Sequence, residues 1–73
     1  MIEVRFFATL RDGRGKSAEI SSESASNAGD VMRLCGIDPA QVAILLINGF
    51  HSKAESPVRD GDLVSLFPPV GGG

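Results

Sequence analysis

The chain has 73 residues, 42% of them hydrophobic and 22% charged, and seven basic against nine acidic side chains leave a net charge of −2. This is the composition of one small globular domain and excludes a disordered chain. A domain so short buries only about 60% of its unfolded surface, which leaves little room for a pocket that encloses a substrate.

Ile2, Val4, Phe6, Ala8 and Leu10 alternate with Glu3, Arg5, Phe7 and Thr9. Period two with aromatic and β-branched residues predicts a strand over 2–10. Asp12-Gly13-Arg14-Gly15 predicts a turn, because glycine tolerates the positive φ that tight turns need. A weaker strand is expected over 16–22, with Ala18 and Ile20 facing inward, so the first two elements form a hairpin. Asn27 followed three residues later by Asp30 resembles a capping box, although that box normally uses Ser or Thr with Glu or Gln. A helix is expected over 28–35, with Ala28, Val31, Met32, Leu34 and Cys35 as its apolar stripe. Asp30 suits the positive end of the helix dipole, and Gly36 suits a left-handed terminator. Pro39 blocks simple continuation.

Residues 42–47 form an unbroken apolar run, which predicts a strand buried on both faces. Asn48-Gly49 is a strong hairpin signal, with a short partner strand expected over 50–53. Arg59-Asp60-Gly61-Asp62 predicts another turn, and 63–67 the last strand, which Pro68-Pro69 ends. Strand, strand, helix, strand, short strand, strand is most simply packed as a mixed sheet with one helix across it.

The cations Arg5, Arg11, Arg14, Lys16, Arg33, Lys53 and Arg59 are scattered, with a loose cluster only at Arg11, Arg14 and Lys16, and the four aromatics are all Phe. Neither the electrostatic footprint nor the stacking set of a nucleic-acid binder is present. No apolar run approaches the roughly 18 residues of a membrane span, and the start has no basic-then-apolar leader pattern. A lone Cys35 fits a reducing compartment, so the cytoplasm is the expected location.

Individual reactive side chains read blandly. Cys35 on an apolar stripe reads as a small core residue rather than a nucleophile. His51 lacks a second ligand for zinc, and Asp60 with Asp62 reads as a turn rather than a calcium site, so no metal is expected. Gly13 and Gly15 lack the following Gly-Lys-Ser/Thr and helix of a phosphate loop. Arg11 is open either to solvent or to an acidic partner.

The ending Asp60-Gly61-Asp62, an apolar strand, and Phe67-Pro68-Pro69-Val70-Gly71-Gly72-Gly73 resembles that of the MoaD/ThiS-type ubiquitin-like sulfur carriers, above all the small subunit of molybdopterin synthase. Val4-Arg5-Phe6-Phe7-Ala8-Thr9-Leu10-Arg11 resembles that family's first strand, and Gly29-Asp30-Val31 stands at its usual helix start. One departure is Gly71, where many relatives carry Ala. The resemblance spans essentially the whole chain. It implies an α+β, β-grasp fold with a mixed four- to five-stranded sheet and one main helix, a domain over 1–69 and a flexible glycine tail over 70–73.

The resemblance also implies a chemistry. Gly73 presents its terminal carboxylate, with Gly71 and Gly72 as the slender tail behind it. A ubiquitin-activating-type adenylyltransferase (MoeB/ThiF-like) attaches AMP from ATP, and a sulfur donor protein then yields the thiocarboxylate. The large, MoaE-like subunit of molybdopterin synthase accepts the tail and passes sulfur to a pterin precursor. The chain itself binds no cofactor, metal, nucleic acid or membrane in this reading, and its catalytic groups belong to its partners. Other acceptors of the same carboxylate chemistry are thiamine, a thiolated tRNA, a sulfur amino acid, or lysines of other proteins.

The tail suits this work physically. Glycines lack Cβ and can thread a narrow channel. Five extended residues from Pro69 onward reach about 16 Å at about 3.3 Å each. Ordering each of them costs about 1–2 kcal/mol, so the body must dock firmly, with Pro68 and Pro69 stiffening the base. Phe7 alternates away from Val4 and Phe6, and Phe67 away from Val64 and Leu66. An exposed aromatic pair beside the tail marks an interface, so Phe7 and Phe67, with Pro68, Pro69 and Val70, are the expected partner contacts.

Overall fold

Alternating side chains build β1 (Ile2–Phe6), whose Ile2, Val4 and Phe6 are buried while Arg5 is exposed. In the computed structural model, which describes residues 1–69, β1 pairs antiparallel with β2 (Ser17–Ile20), Ile2 opposite Ile20 and Arg5 opposite Ser17. The helix α1 (Ala28–Leu34) follows, then β3 (Ile44–Ile47), β4 (Phe50–His51) and β5 (Leu63–Phe67). The five strands lie in the order β2-β1-β5-β3-β4. β1 and β5 run parallel at the centre, and every other pairing is antiparallel. Two neighbouring parallel strands need a crossover, and α1 lies within the intervening chain.

The core lies between α1 and one face of the sheet. Ala28, Val31 and Met32 of α1 join Ile2, Val4, Phe6, Leu45, Val64 and Leu66 in it. Each large side chain so buried contributes about 1.5–3 kcal/mol relative to exposure. Leu10, Ile37 and Val58 close its ends from the connections.

Three expectations are corrected. The strand expected over 2–10 ends at Phe6, and Ala8–Arg11 form a 3-10 turn entered through Ala8 at φ +52°. The turn still delivers Leu10 to the core while leaving Ala8 exposed, so alternation alone mimics a longer strand. The run over 42–47 is not buried on both faces: within β3 only Leu45 is buried and Ile44 is 41% exposed. The helix covers one face of the sheet and leaves the other open. The apolar stripe of α1 is also narrower than expected, with Leu34 at 49% exposure and Cys35 forming the C-cap.

The local signals act as their chemistry requires. Asn27 Oδ1 accepts the Asp30 amide at 2.8 Å, and the Asp30 carboxylate accepts the Ser26 amide at 3.0 Å. This is a capping box displaced outward by one residue. Gly29 lets the first turn of α1 approach the loop behind it, its N–H donating to the Ala54 carbonyl at 2.8 Å. A Cβ there would lie 3.3 Å from that oxygen. Asn48 and Gly49 both have positive φ, +53° and +85°, and join Ile47 to its partner Phe50. That is the type I′ geometry which matches strand twist. No helix among the described residues is long and apolar enough to cross a membrane.

Candidate docking face and tail base

The parallel register of β1 and β5 sets Phe6 beside Leu66, so the next residues, Phe7 and Phe67, meet on the opposite face. Their rings stack with centroids 4.2 Å apart and planes 10° from parallel. The Phe7 amide continues the ladder by donating to the Leu66 carbonyl at 3.2 Å. Over Phe7 lies the Arg11 guanidinium, 5.6 Å from the ring centroid, held there by Nε donating to the Phe6 carbonyl at 2.9 Å. A cation over an aromatic face is attracted by the ring quadrupole.

The sequence-derived pair is thus brought together, but in a different state from the one expected. Phe7 and Phe67 are each half-buried because they cover one another. Pro68 is half-buried and Pro69 exposed, so the chain leaves the sheet beside the stack. Val70, Gly71, Gly72 and Gly73 lie outside the described residues, as does the tail expected over 70–73.

On its β3 side the open face is mainly apolar. Ile44 pairs with Phe67 and Leu46 with Ser65 across β3 and β5, so Ile44, Leu46, Leu63 and Phe67 share this face. Ser65 also lies on this face but is only 9% exposed. The alternation of β3 could have revealed Ile44 and Leu46 as members of this face, but an all-apolar run hides which side is which.

The reactive side chains take structural roles. Burial pushes the Cys35 thiol up, and the nearby Arg14 charge opposes this only in part; such a thiol is a poor nucleophile at neutral pH. Asp60 takes the ammonium of Met1, and Asp62 accepts the Asn48 side-chain amide at 2.9 Å and the Arg59 backbone amide at 2.8 Å. The Asp-Gly-Asp segment is a turn, with Gly61 at φ +88°. The Arg14 and Gly15 amides both donate to the Arg11 carbonyl at 3.0 Å, so this turn satisfies itself. His51 is exposed on β4 at the sheet edge, and no group of three His, Cys, Asp or Glu among the described residues is placed to hold a metal ion.

Sequence reasoning missed Arg14. Its Nε donates to the Cys35 carbonyl at 3.2 Å, Nη2 to the Gly36 carbonyl at 3.0 Å and Nη1 to the Leu10 carbonyl at 3.2 Å. The guanidinium therefore ties the end of α1 to the first connection. No spacing rule links Arg14 to carbonyls twenty-odd residues away.

The model of the ThiS family matches residues 4–73. The chain belongs to the ThiS family. Among solved structures, this ThiS-family chain is similar to SAMP1 from Haloferax volcanii, at 25% identity and a TM-score of 0.76, with 99% of this chain and 98% of that one covered. It is similar to the Haloferax volcanii HVO 2177 protein at 32% identity and a TM-score of 0.75, covering 99% and 85% respectively. It also resembles a chain from the complex of subunits 1 and 2 of molybdopterin-converting factor from Helicobacter pylori, at 26% identity, a TM-score of 0.65 and coverage of 99% and 97%. No curated protein sequence matches it. The ThiS-family protein therefore has the ubiquitin-like β-grasp fold of the MoaD/ThiS type.

Proposed function

We propose that this ThiS-family protein is a cytoplasmic sulfur carrier that works as the small subunit of molybdopterin synthase. The observation that carries the reading is the Phe7–Phe67 stack, set on the open sheet face beside the apolar Ile44 and Leu46, where the chain departs toward its glycines. Stacked aromatics bury a large area at low entropic cost and are common anchors of interfaces. Docking through this face would offset the cost of ordering the tail over 70–73 inside a partner.

The chemistry resides in the Gly73 carboxylate. A carboxylate is a poor electrophile, so an adenylyltransferase of the ubiquitin-activating type transfers AMP to it from ATP and releases pyrophosphate. Sulfide, delivered by a sulfur donor protein, attacks the acyl carbon and displaces AMP, leaving a thiocarboxylate. A large synthase subunit then accepts Gly71, Gly72 and the loaded Gly73. The likeness to a chain from the Helicobacter pylori complex of molybdopterin-converting factor subunits 1 and 2 supports a partner of this kind.

A second reading, in which Gly73 forms isopeptide bonds with lysines of other proteins, is favoured by the similarity to SAMP1, the small archaeal modifier protein 1. The test is intact-mass measurement after incubation with ATP, the adenylating enzyme of the same organism and a sulfide source. Exchange of one terminal oxygen for sulfur is expected, and deletion of Gly73 abolishes it while leaving the fold intact. Absence of exchange on the full-length chain overturns the carrier reading. A ladder of conjugates in cells, in place of copurification with a synthase subunit, selects the modifier.

A further inference from the structure

Beside the aromatic stack, on the open face at the end of β1 and β2, lies a hollow of about 350 Å³ lined by Glu3, Arg5, Phe7, Arg11, Lys16 and Ser17. Three of the seven basic residues of the chain line it, against one of the nine acidic ones. Its formal charge is 3 − 1 = +2 in a chain whose net charge is −2. We propose that this cationic hollow receives a carboxylate-bearing surface of the adenylating partner, and so directs how the sheet face docks. The inference rests on the carrier reading above and adds to it the chemistry of the partner's contact.

The side chains are arranged for such an occupant. Arg11 uses Nε on the Phe6 carbonyl, and among the described residues its two terminal nitrogens make no hydrogen bond. Arg5 spends Nε on Glu3 at 2.8 Å, and both side chains of that pair are about half exposed, at 52% and 45%. Such an exposed pair is weak and readily exchanged. Lys16 has no ion-pair partner among the described residues. Two guanidinium edges and an ammonium therefore remain as donors, and a guanidinium fork matches a carboxylate. The hollow is also polarised. Glu3, at one wall of the hollow, stands opposite Glu19 in the β1–β2 register, so an acidic surface is repelled at that end and drawn toward Arg11 and Lys16 at the other. Phe7 forms both a wall of the hollow and one half of the stack, which makes the charged and apolar contacts a single surface.

Charge complementarity of this kind acts on association rate and specificity and is screened by salt. The test measures affinity for the adenylating enzyme at about 50 mM and about 500 mM NaCl. The proteins compared are the unaltered chain, the double variant Arg5→Gln/Lys16→Glu and the control Lys53→Glu, which lies away from the hollow. The double variant is expected to bind about tenfold more weakly at low salt and to approach the unaltered chain at high salt, while Lys53→Glu binds normally. Equal binding by the double variant, or an equal loss in Lys53→Glu, overturns the proposal.

If the unaltered chain does not bind that enzyme at all, the carrier reading fails first, and the hollow is judged by a second measurement. Hexaglutamate is titrated against the amide NMR signals of the unaltered chain. Shifts confined to the neighbourhood of Arg5, Arg11, Lys16 and Ser17 support the proposal. No shift, or equal shifts with inorganic phosphate, overturns it.

Discussion

Asn48 donates through Nδ2 to the Asp62 carboxylate at 2.9 Å, and its Oδ1 accepts the Leu63 amide at 2.9 Å. One side chain in the β3–β4 turn thus latches the entry to β5, the strand that carries Phe67. Asn48 also has φ +53°, a region asparagine tolerates better than alanine. Asn48→Ala is expected to cost about 2 kcal/mol, from roughly 1 kcal/mol of backbone strain and a similar amount of lost hydrogen bonding. Asn48→Gly should recover the backbone part and leave the rest. Urea unfolding of the two variants separates the contributions.

Three carboxylates make the fold sensitive to acid. Asp62 is held below the usual range first by the Asn48 amide and then by the Arg59 N–H. Asp60 is held low by the terminal ammonium, and Asp30 first by the Ser26 N–H and then by Arg33. Since the folded values lie below the unfolded ones, near 3.9, their contribution is complete only above about pH 5. It is lost as the pH falls through the folded values. The urea midpoint should be level above this window and decline below it, and Asp62→Asn should make the decline shallower. An equally steep decline in Asp62→Asn would count against the latch as its source.

The Arg14 fork has a cost that can be measured. Removing it leaves the carbonyls of Cys35 and Gly36 without their side-chain donor and takes a cation from the negative end of α1. Arg14→Ala should destabilise by about 1–2 kcal/mol, and Arg14→Lys should restore only part, since an ammonium cannot span three carbonyls as a planar fork does. Gly36, at φ +72° with open space where a Cβ would stand, should cost about 1–2 kcal/mol as Ala, purely from backbone strain.

The aromatic stack should contribute to stability as well as to docking. A double-mutant cycle over Phe7→Ala and Phe67→Ala is expected to show a coupling of about 0.5–1.5 kcal/mol in chemical unfolding. Phe67→Leu should retain most of the fold while weakening binding to the adenylating enzyme about tenfold or more. Unchanged binding in Phe67→Leu would remove the stack from the interface.

The element order was legible in the sequence because each boundary carries its own chemistry: Asn27 at the start of α1, Gly36 at its end, and Asn48-Gly49 at the hairpin. Phe7 and Phe67 were legible as a pair because both alternate away from core positions. What failed were features that alternation cannot encode. Leu10 keeps the spacing of a strand while arriving from a 3-10 turn. Ile44 and Leu46 sit in an unbroken apolar run whose open side depends on where the helix lies. Arg11, Arg14 and Lys16 stand out in the sequence as a loose basic cluster, but the carbonyls that Arg14 holds and the hollow that Arg11 and Lys16 line arise only through tertiary placement.

The strand that leads to the glycines is neither an edge nor a hairpin arm. β5 lies between β1 and β3 and bonds to both. A partner that draws the terminus into a channel therefore loads two ladders lengthwise, so their hydrogen bonds share the strain together instead of opening one after another. A strand at the rim would peel under the same pull. Here the grip can be hard without unravelling what is being held.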